Sequence, residues 1–105
     1  MIVTFDKKYL QELYEKGKTT DKKFRFQPEV IDGYVKGIYK LEISTKIEDL
    51  YKYKSLNYEV LKGEKKGISS IRATKKYRIE FTFNDDGVEP VLTICNILEL
   101  SKHYK

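Results

Sequence analysis

The spacing of apolar residues changes from helical to extended along this chain. Residues 2–5 are mostly apolar and predict a short first strand. Apolar residues then recur at helical spacing, with Asp6 placed to cap a first helix and Gly17 placed to end it. A second apolar stripe, with Pro28 in its first turn, predicts a second helix over residues 28–43.

Two glycines, Gly33 and Gly37, lie four positions apart inside this second helix. The same spacing occurs where helices pair inside membranes, but charged residues flank these glycines. No apolar run approaches the roughly 20 residues that a membrane span needs. The pair therefore predicts a close approach between the helix and a neighbouring element, and we expect no membrane partner.

After residue 57 the pattern is typical of strands. Four segments are rich in β-branched and aromatic residues, namely residues 58–61, 68–73, 77–83 and 91–97. Residues 84–87 form a turn signal that joins antiparallel strands. In the third segment Arg78, Glu80 and Thr82 alternate with apolar residues, which predicts one buried face and one polar face.

This order of elements predicts an α+β fold in a single domain, residues 1–105. Two N-terminal helices pack on one face of a small, mainly antiparallel sheet of four to five strands. The length of 105 residues suits one compact domain with its own core.

Charge and cysteine content indicate the class of partner and the redox compartment. The chain has 21 Lys and Arg residues against 16 Asp and Glu, a formal charge of +5, which favours nucleic acid or another acidic partner. Cys95 is the only cysteine, so an internal disulfide is excluded and a reducing cytoplasm is expected. Its apolar neighbours indicate a buried side chain rather than a nucleophile. We find no spacing typical of metal ligands and no cofactor-binding motif.

Three cations fall near the predicted strand ends: Lys62, Arg72 and Arg78. Neighbouring strands lie roughly 4.8 Å apart, so the three could meet at one patch within the span of a nucleotide. Like charges brought together repel unless an anion joins them, which suits binding or cleavage of a phosphodiester. The alternative is a set of separately solvated cations paired with nearby carboxylates, Glu59, Glu64 and Glu80.

Several short motifs in this half of the chain together resemble the HigB-like branch of the RelE/ParE toxin superfamily. They are residues 57–63, 66–67, 70–72 and 77–79, with Phe81 and the C-terminal segment 99–105. Any one of these motifs is weak, whereas the combination is fairly specific. The resemblance implies a RelE-like fold and the toxin of a type II toxin–antitoxin system.

The resemblance also implies an activity, a ribosome-dependent endoribonuclease that cleaves mRNA in the ribosomal A site without a metal or other cofactor. By position, Lys62, Arg72 and Arg78 match the family's basic active-site residues. His103 and Tyr104 match the family's more variable tail, where such residues assist proton transfer or stack on a base.

Partners and alternatives follow from the same resemblance. Lys65 and Lys66 would contact the RNA backbone, and the expected partners are mRNA on the ribosome and a cognate helix-turn-helix antitoxin. One alternative is a ParE-like inhibitor of DNA gyrase that is not a nuclease, although that branch generally lacks the full basic set. Another is a basic RNA-binding module without turnover.

Overall fold

The structure is a computed structural model that describes residues 1–85, 87 and 92–102. Five strands form one sheet: β1 (Ile2–Phe5), β2 (Glu59–Val60), β3 (Ser69–Arg72), β4 (Tyr77–Asp85) and β5 (Thr93–Lys102). Across the sheet the strands lie in the order β1-β5-β4-β3-β2. β1 is parallel to β5 and the other neighbours are antiparallel, so the predicted mainly antiparallel sheet is confirmed as a mixed one.

Two α-helices, α1 (Lys8–Lys16) and α2 (Pro28–Ile43), precede β2 in the chain. α2 has the predicted bounds, and Gly17 ends α1 in the left-handed conformation at φ 72°. The prediction that Asp6 caps α1 was wrong. The helix begins one residue later, after Lys7, without a side-chain cap. The Asp6 backbone N–H donates to the Ile97 carbonyl, so the chain is still paired with β5 at Asp6. No helix in the described part of the chain is long and apolar enough to cross a membrane.

The hydrophobic core lies between the helices and one face of the sheet. Tyr34, Ile38 and Leu41 of α2 are fully buried against the sheet residues Ile71 and Ile79, which face each other across β3 and β4. Burying such side chains contributes about 1.5–3 kcal/mol each. The predicted arrangement, with helices on one face of the sheet, is confirmed.

The register between β4 and β5 shifts by one residue inside β5. Glu80 pairs with Glu99 but Phe81 pairs with Ile97, so Leu98 is an extra residue in the strand. β5 therefore continues to Lys102, well past the predicted end at residue 97. Val91, the predicted first residue, and Asp86 of the predicted turn lie outside the described residues.

Cys95 is fully buried on the helix-facing side of β5. Burial raises the pKa of its thiol to about 12, so the thiolate fraction falls about a thousandfold below that of an exposed cysteine. We expect an aromatic disulfide reagent to leave the native protein unmodified in mildly alkaline buffer. The same reagent should consume one thiol per chain in guanidinium. Rapid modification of the native protein would contradict the burial of this side chain.

Candidate active site

The face of the sheet opposite the helices carries two arginines directly opposite each other. Arg72 ends β3 and Arg78 is the second residue of β4, and the two are cross-strand partners. Side chains at directly opposed positions lie on the same face, about 5 Å apart at their β-carbons. Since Ile71 and Ile79 fill the other face, both arginines leave the core, as the alternation predicted. Like charges in this position destabilise a sheet, so the pairing has no structural benefit of its own.

Arg78 is not a solvated surface side chain, since only 5% of it is exposed. Its Nε donates to Ser70 Oγ at 2.9 Å, and Nη2 donates to the Asn57 carbonyl at 2.7 Å and, at 3.4 Å, to the Ser70 carbonyl. Among the residues that the structure describes, Nη1 has no hydrogen-bond partner. The guanidinium is therefore fixed on one side and keeps a donor nitrogen for an anion.

The electrostatic surroundings of Arg78 are mixed. Burial is the main cause that lowers the pKa of this guanidinium, and the positive charge of Arg72 lowers it further. Glu59 acts in the opposite direction and raises it, with Oε2 at 3.7 Å from Nη2. Arginine stays protonated in proteins, so the group is a permanent, poorly solvated cation. Such a charge interacts more strongly with an anion than an exposed one does.

A second buried charge lies two residues further along β4. Glu80 is only 7% exposed and accepts hydrogen bonds from Lys65 Nζ at 2.8 and 3.0 Å and from Ser101 Oγ at 3.0 Å. The hydrogen bond to Glu80 is the main cause that raises the pKa of Lys65. The ion pair ties the short 3₁₀ helix Gly63–Lys65 down onto the sheet.

This face of β4 is polar, as predicted, but the alternative of separately solvated cations paired with surface carboxylates does not hold at Arg78 and Glu80, which are both buried. The segment between β2 and β3 crosses the face and, together with Asn57 before β2, covers both side chains. Each charge is paired or hydrogen-bonded there, as burial of a charge requires.

A cavity of about 230 Å³ opens between this covering segment and the sheet. Arg78 lies in its lining, and so do the residues that hold or neighbour it: Glu59, Leu61, Lys65, Ser70, Glu80, Ser101 and Lys102. Glu59 is the exposed carboxylate of this set, whereas Glu80 is buried. The cavity thus combines a buried guanidinium, an accessible carboxylate and hydroxyl groups.

The other predicted cations take different places. Lys62 does not end a strand, because β2 stops at Val60 and the chain turns at Gly63, where φ is 70°. Lys62 and Lys66 are exposed, and neither lines this cavity. Of the three cations predicted to converge, Arg78 alone lines the cavity, and Arg72 is its exposed partner on the neighbouring strand. Of the lysines in this loop, Lys65 is the one that lines the cavity.

The predicted tail residues, His103 and Tyr104, lie outside the described residues, which end at Lys102. Lys102 itself lines the cavity. Glu59 and Glu80 were predicted only as partners of surface cations, and no role was predicted for the hydroxyls of Ser70 and Ser101. The cross-strand pairs Glu59–Ser70, Ser70–Glu80 and Arg78–Ser101 show that all lie on one face. The period-2 spacing along β3 and β4 could have revealed Ser70 and Glu80 as neighbours of Arg78 on this face.

Comparison with known proteins identifies the fold and the family. A solved YoeB/ParE toxin from Agrobacterium tumefaciens matches with a TM-score of 0.55 and 20% sequence identity, over 99% of this chain and 100% of that chain. None of the curated proteins matches the chain in sequence. At this identity the structural match establishes the fold, which is that of RelE-like and YoeB-like toxins.

A family model described as RelE-like toxin of type II toxin-antitoxin system HigB matches residues 3–93. Because this match spans most of the chain, the protein belongs to the HigB-like toxin family. The resemblance seen in the sequence motifs is thereby confirmed. Membership of this family implies an antitoxin as a partner.

Proposed function

We propose that this toxin is a ribosome-dependent endoribonuclease that cleaves mRNA in the ribosomal A site without a metal. The observation that carries the proposal is the buried Arg78 guanidinium, which keeps a donor nitrogen in a cavity and faces Arg72 across the strands. A buried, held cation and an exposed one at that spacing suit the non-bridging oxygens of one phosphate. Membership of a toxin family whose usual activity is endoribonuclease supports the same conclusion.

The proposed reaction needs only the RNA and protein side chains. The ribose 2′-oxygen attacks the adjacent phosphorus while a base removes its proton. The bond from phosphorus to the 5′-oxygen breaks, and that oxygen takes up a proton as it leaves. The products are a 2′,3′-cyclic phosphate and a free 5′-hydroxyl.

Arg78 and Arg72 would stabilise the negative charge that grows on the phosphoryl oxygens. Removing one such donor from a preorganised site typically costs about 3–4 kcal/mol of transition-state stabilisation. Arg78 has the stronger position, because it is buried and held in place by Ser70 and Asn57. Arg72 is exposed and completes the clamp from the neighbouring strand.

Glu59 is our choice for the group that removes the 2′-hydroxyl proton. It lines the cavity beside Arg78 and is about half exposed, so an RNA strand can reach it. Glu80 is a poorer choice, because Lys65 and Ser101 already occupy its oxygens. A neutral lysine is needed for base catalysis, so the exposed Lys62 is better suited to positioning the phosphate.

The remaining predicted residues would act at the edges of this site. We assign His103 and Tyr104 to proton donation or base stacking, and Lys66 to an RNA backbone contact. Lys65 can contact RNA only while it also neutralises Glu80, since the pair is part of the cavity wall. The antitoxin would be a helix-turn-helix protein, and the toxin would act in the cytoplasm, where translating ribosomes are found.

Arg72→Ala tests the clamp without disturbing the fold, since Arg72 is exposed and belongs to no ion pair among the described residues. We expect cleavage of mRNA on translating ribosomes to fall at least about a hundredfold, with an unchanged thermal unfolding midpoint. Arg72→Lys should recover part of this loss, because it restores the charge but not the planar fork. Wild-type cleavage by Arg72→Ala would remove Arg72 from the site.

The function itself is tested by incubating wild-type protein with ribosomes translating a defined mRNA and mapping the ends of the products. Fragments with a cyclic phosphate and a 5′-hydroxyl at the A-site codon are expected. Intact mRNA would contradict the nuclease proposal. If the same protein then inhibited DNA supercoiling by gyrase, the ParE-like alternative would replace it.

A further inference from the structure

A second, larger cavity of about 490 Å³ lies between the start of α2 and the turn that joins β3 to β4. Four cationic side chains line it, Arg25, Lys75, Lys76 and Lys102, together with one carboxylate, Glu29. Glu29 lies in the first turn of α2, where a negative charge is favoured by the free N–H groups of the helix. The balance of charge in the cavity is therefore strongly positive.

Three of these cations are unpaired in the part of the chain that the structure describes. Within the described ranges, Arg25, Lys75 and Lys76 are exposed and make no ion pair with any carboxylate. Elsewhere on the surface, lysines at helical spacing do find partners, as Lys36 does with Asp32 at 2.9 Å. Cations gathered around a cavity and left unpaired repel one another, and an anion entering the cavity would relieve that repulsion.

The walls that carry these cations are held in a fixed relation. The Thr74 hydroxyl accepts hydrogen bonds from the backbone N–H groups of Lys76 and Tyr77, at 3.3 and 3.2 Å. α2 approaches this turn so closely that a β-carbon on Gly33 would lie 2.0 Å from the Ala73 carbonyl oxygen. A T-shaped contact between Phe26 and Tyr77, with ring centroids 5.7 Å apart, fixes the segment next to Arg25. A preorganised site loses less entropy on binding than a set of free surface lysines.

This cavity adjoins the candidate active site at one end of the sheet. Lys102 lines both cavities. Tyr77 pairs with Lys102, and the next residues along the two strands, Arg78 and Ser101, pair in the active site. One strand position is about 3.3 Å. A chain of phosphates leaving Arg78 around the end of the sheet would meet the cations of the second cavity next.

We propose that this second cavity, defined by Arg25, Lys75, Lys76 and Lys102, binds backbone phosphates of RNA next to the strand held at Arg78. The inference builds on the proposed function, because it takes the ligand of the neighbouring site to be RNA. Its contacts are to phosphates, so it contributes affinity and register without reading sequence.

Binding can be measured apart from cleavage. The probe is a short fluorescein-labelled single-stranded RNA with 2′-O-methyl riboses, which lack the attacking hydroxyl, and anisotropy is recorded over a range of salt concentrations. For the triple variant Arg25→Ala, Lys75→Ala, Lys76→Ala we expect at least about tenfold weaker binding at low salt. The slope of log K against log salt should fall by about 2, since each lost single-strand phosphate contact contributes about 0.7.

The matched control removes the same charge elsewhere, through Lys8→Ala, Lys16→Ala and Lys18→Ala, three exposed lysines that line neither cavity. Its slope and affinity should stay near those of wild type. An equal loss in both triple variants would reduce the effect to net charge and overturn the site. Unchanged binding of the first triple variant both to this oligonucleotide and to ribosomes would overturn it as well. A triple variant that binds RNA normally but no longer binds an acidic protein would also overturn it.

Two further measurements show which RNA the site binds and whether the site stands without the nuclease activity. A loss of affinity seen on ribosomes and not on the free oligonucleotide would support a phosphate site and assign it to ribosomal RNA. If the wild type never cleaves mRNA but the first triple variant still loses RNA binding selectively, the nuclease proposal fails and the phosphate site stands.

Discussion

Replacing Arg78 with alanine is expected to lower mRNA cleavage on ribosomes at least about a hundredfold and to destabilise the fold as well. The first effect comes from the loss of a buried, preorganised donor to the phosphate. The second follows from the hydrogen bonds that Arg78 makes to Ser70 Oγ and the Asn57 carbonyl. Leaving such buried groups unpaired costs about 1–3 kcal/mol. On the alternative of separately solvated cations, removal of Arg78 would instead leave folding nearly unchanged.

Two variants separate catalysis from folding. Arg78→Lys keeps the charge but cannot reproduce the fork that reaches Ser70 and Asn57 together, so we expect weak activity in a folded protein. Ser70→Ala removes one anchor and leaves the guanidinium in place, so stability should fall by about 1 kcal/mol with most cleavage retained. Circular dichroism and urea unfolding report the fold, and product mapping reports the reaction. Near-wild-type cleavage by folded Arg78→Ala would end the role proposed for this residue.

Much of the fold could be predicted because each pattern had one physical cause. The stripe of α2 faces the sheet along its whole length, so its period gave both ends correctly. β4 alternates cleanly for the same reason, since Ile79 and Phe81 pack on the helices. The predicted β5 was too short because the extra residue Leu98 interrupts the alternation of apolar and polar residues. Beyond Leu98 the side chains that face the core stand at even-numbered positions instead of odd-numbered ones.

The site was only half predictable. Alternation and the short link between two strands suffice to place Arg72 opposite Arg78. The burial of Arg78 and the place of Lys65 depend on how the segment around Gly63–Lys65 folds back, through the ion pair with Glu80. That ion pair joins residues fifteen positions apart and has no local signature in the sequence. The position of Lys62 depended on the same turn, which is why its predicted place on a strand was wrong.

The close approach predicted from the two glycines of α2 is confirmed, and it gives the largest expected loss of stability without touching the active-site cavity. A β-carbon on Gly33 would lie 2.0 Å from the Ala73 carbonyl oxygen and 2.9 Å from its carbon. The Ala73 carbonyl and the α2 backbone cannot rotate away from each other as side chains can, so α2 and the β3–β4 turn must separate. We expect overpacking to cost about 3 kcal/mol, which outweighs the gain of about 1 kcal/mol that alanine brings inside a helix.

Gly33→Ala should therefore lower the free energy of unfolding by about 2 kcal/mol, and the thermal midpoint by roughly 10 °C in a domain of this size. Gly37→Ala is the matched control one turn along the same helix. Its β-carbon would meet the methyl ends of Ile79 at 2.8 Å and Ile71 at 3.4 Å, and these flexible side chains can shift. The gain in helix propensity should then leave its stability within about 1 kcal/mol of wild type. Equal stability of the two variants in urea unfolding would show that α2 does not rest on the Ala73 carbonyl, and that the walls of the second cavity are not fixed there.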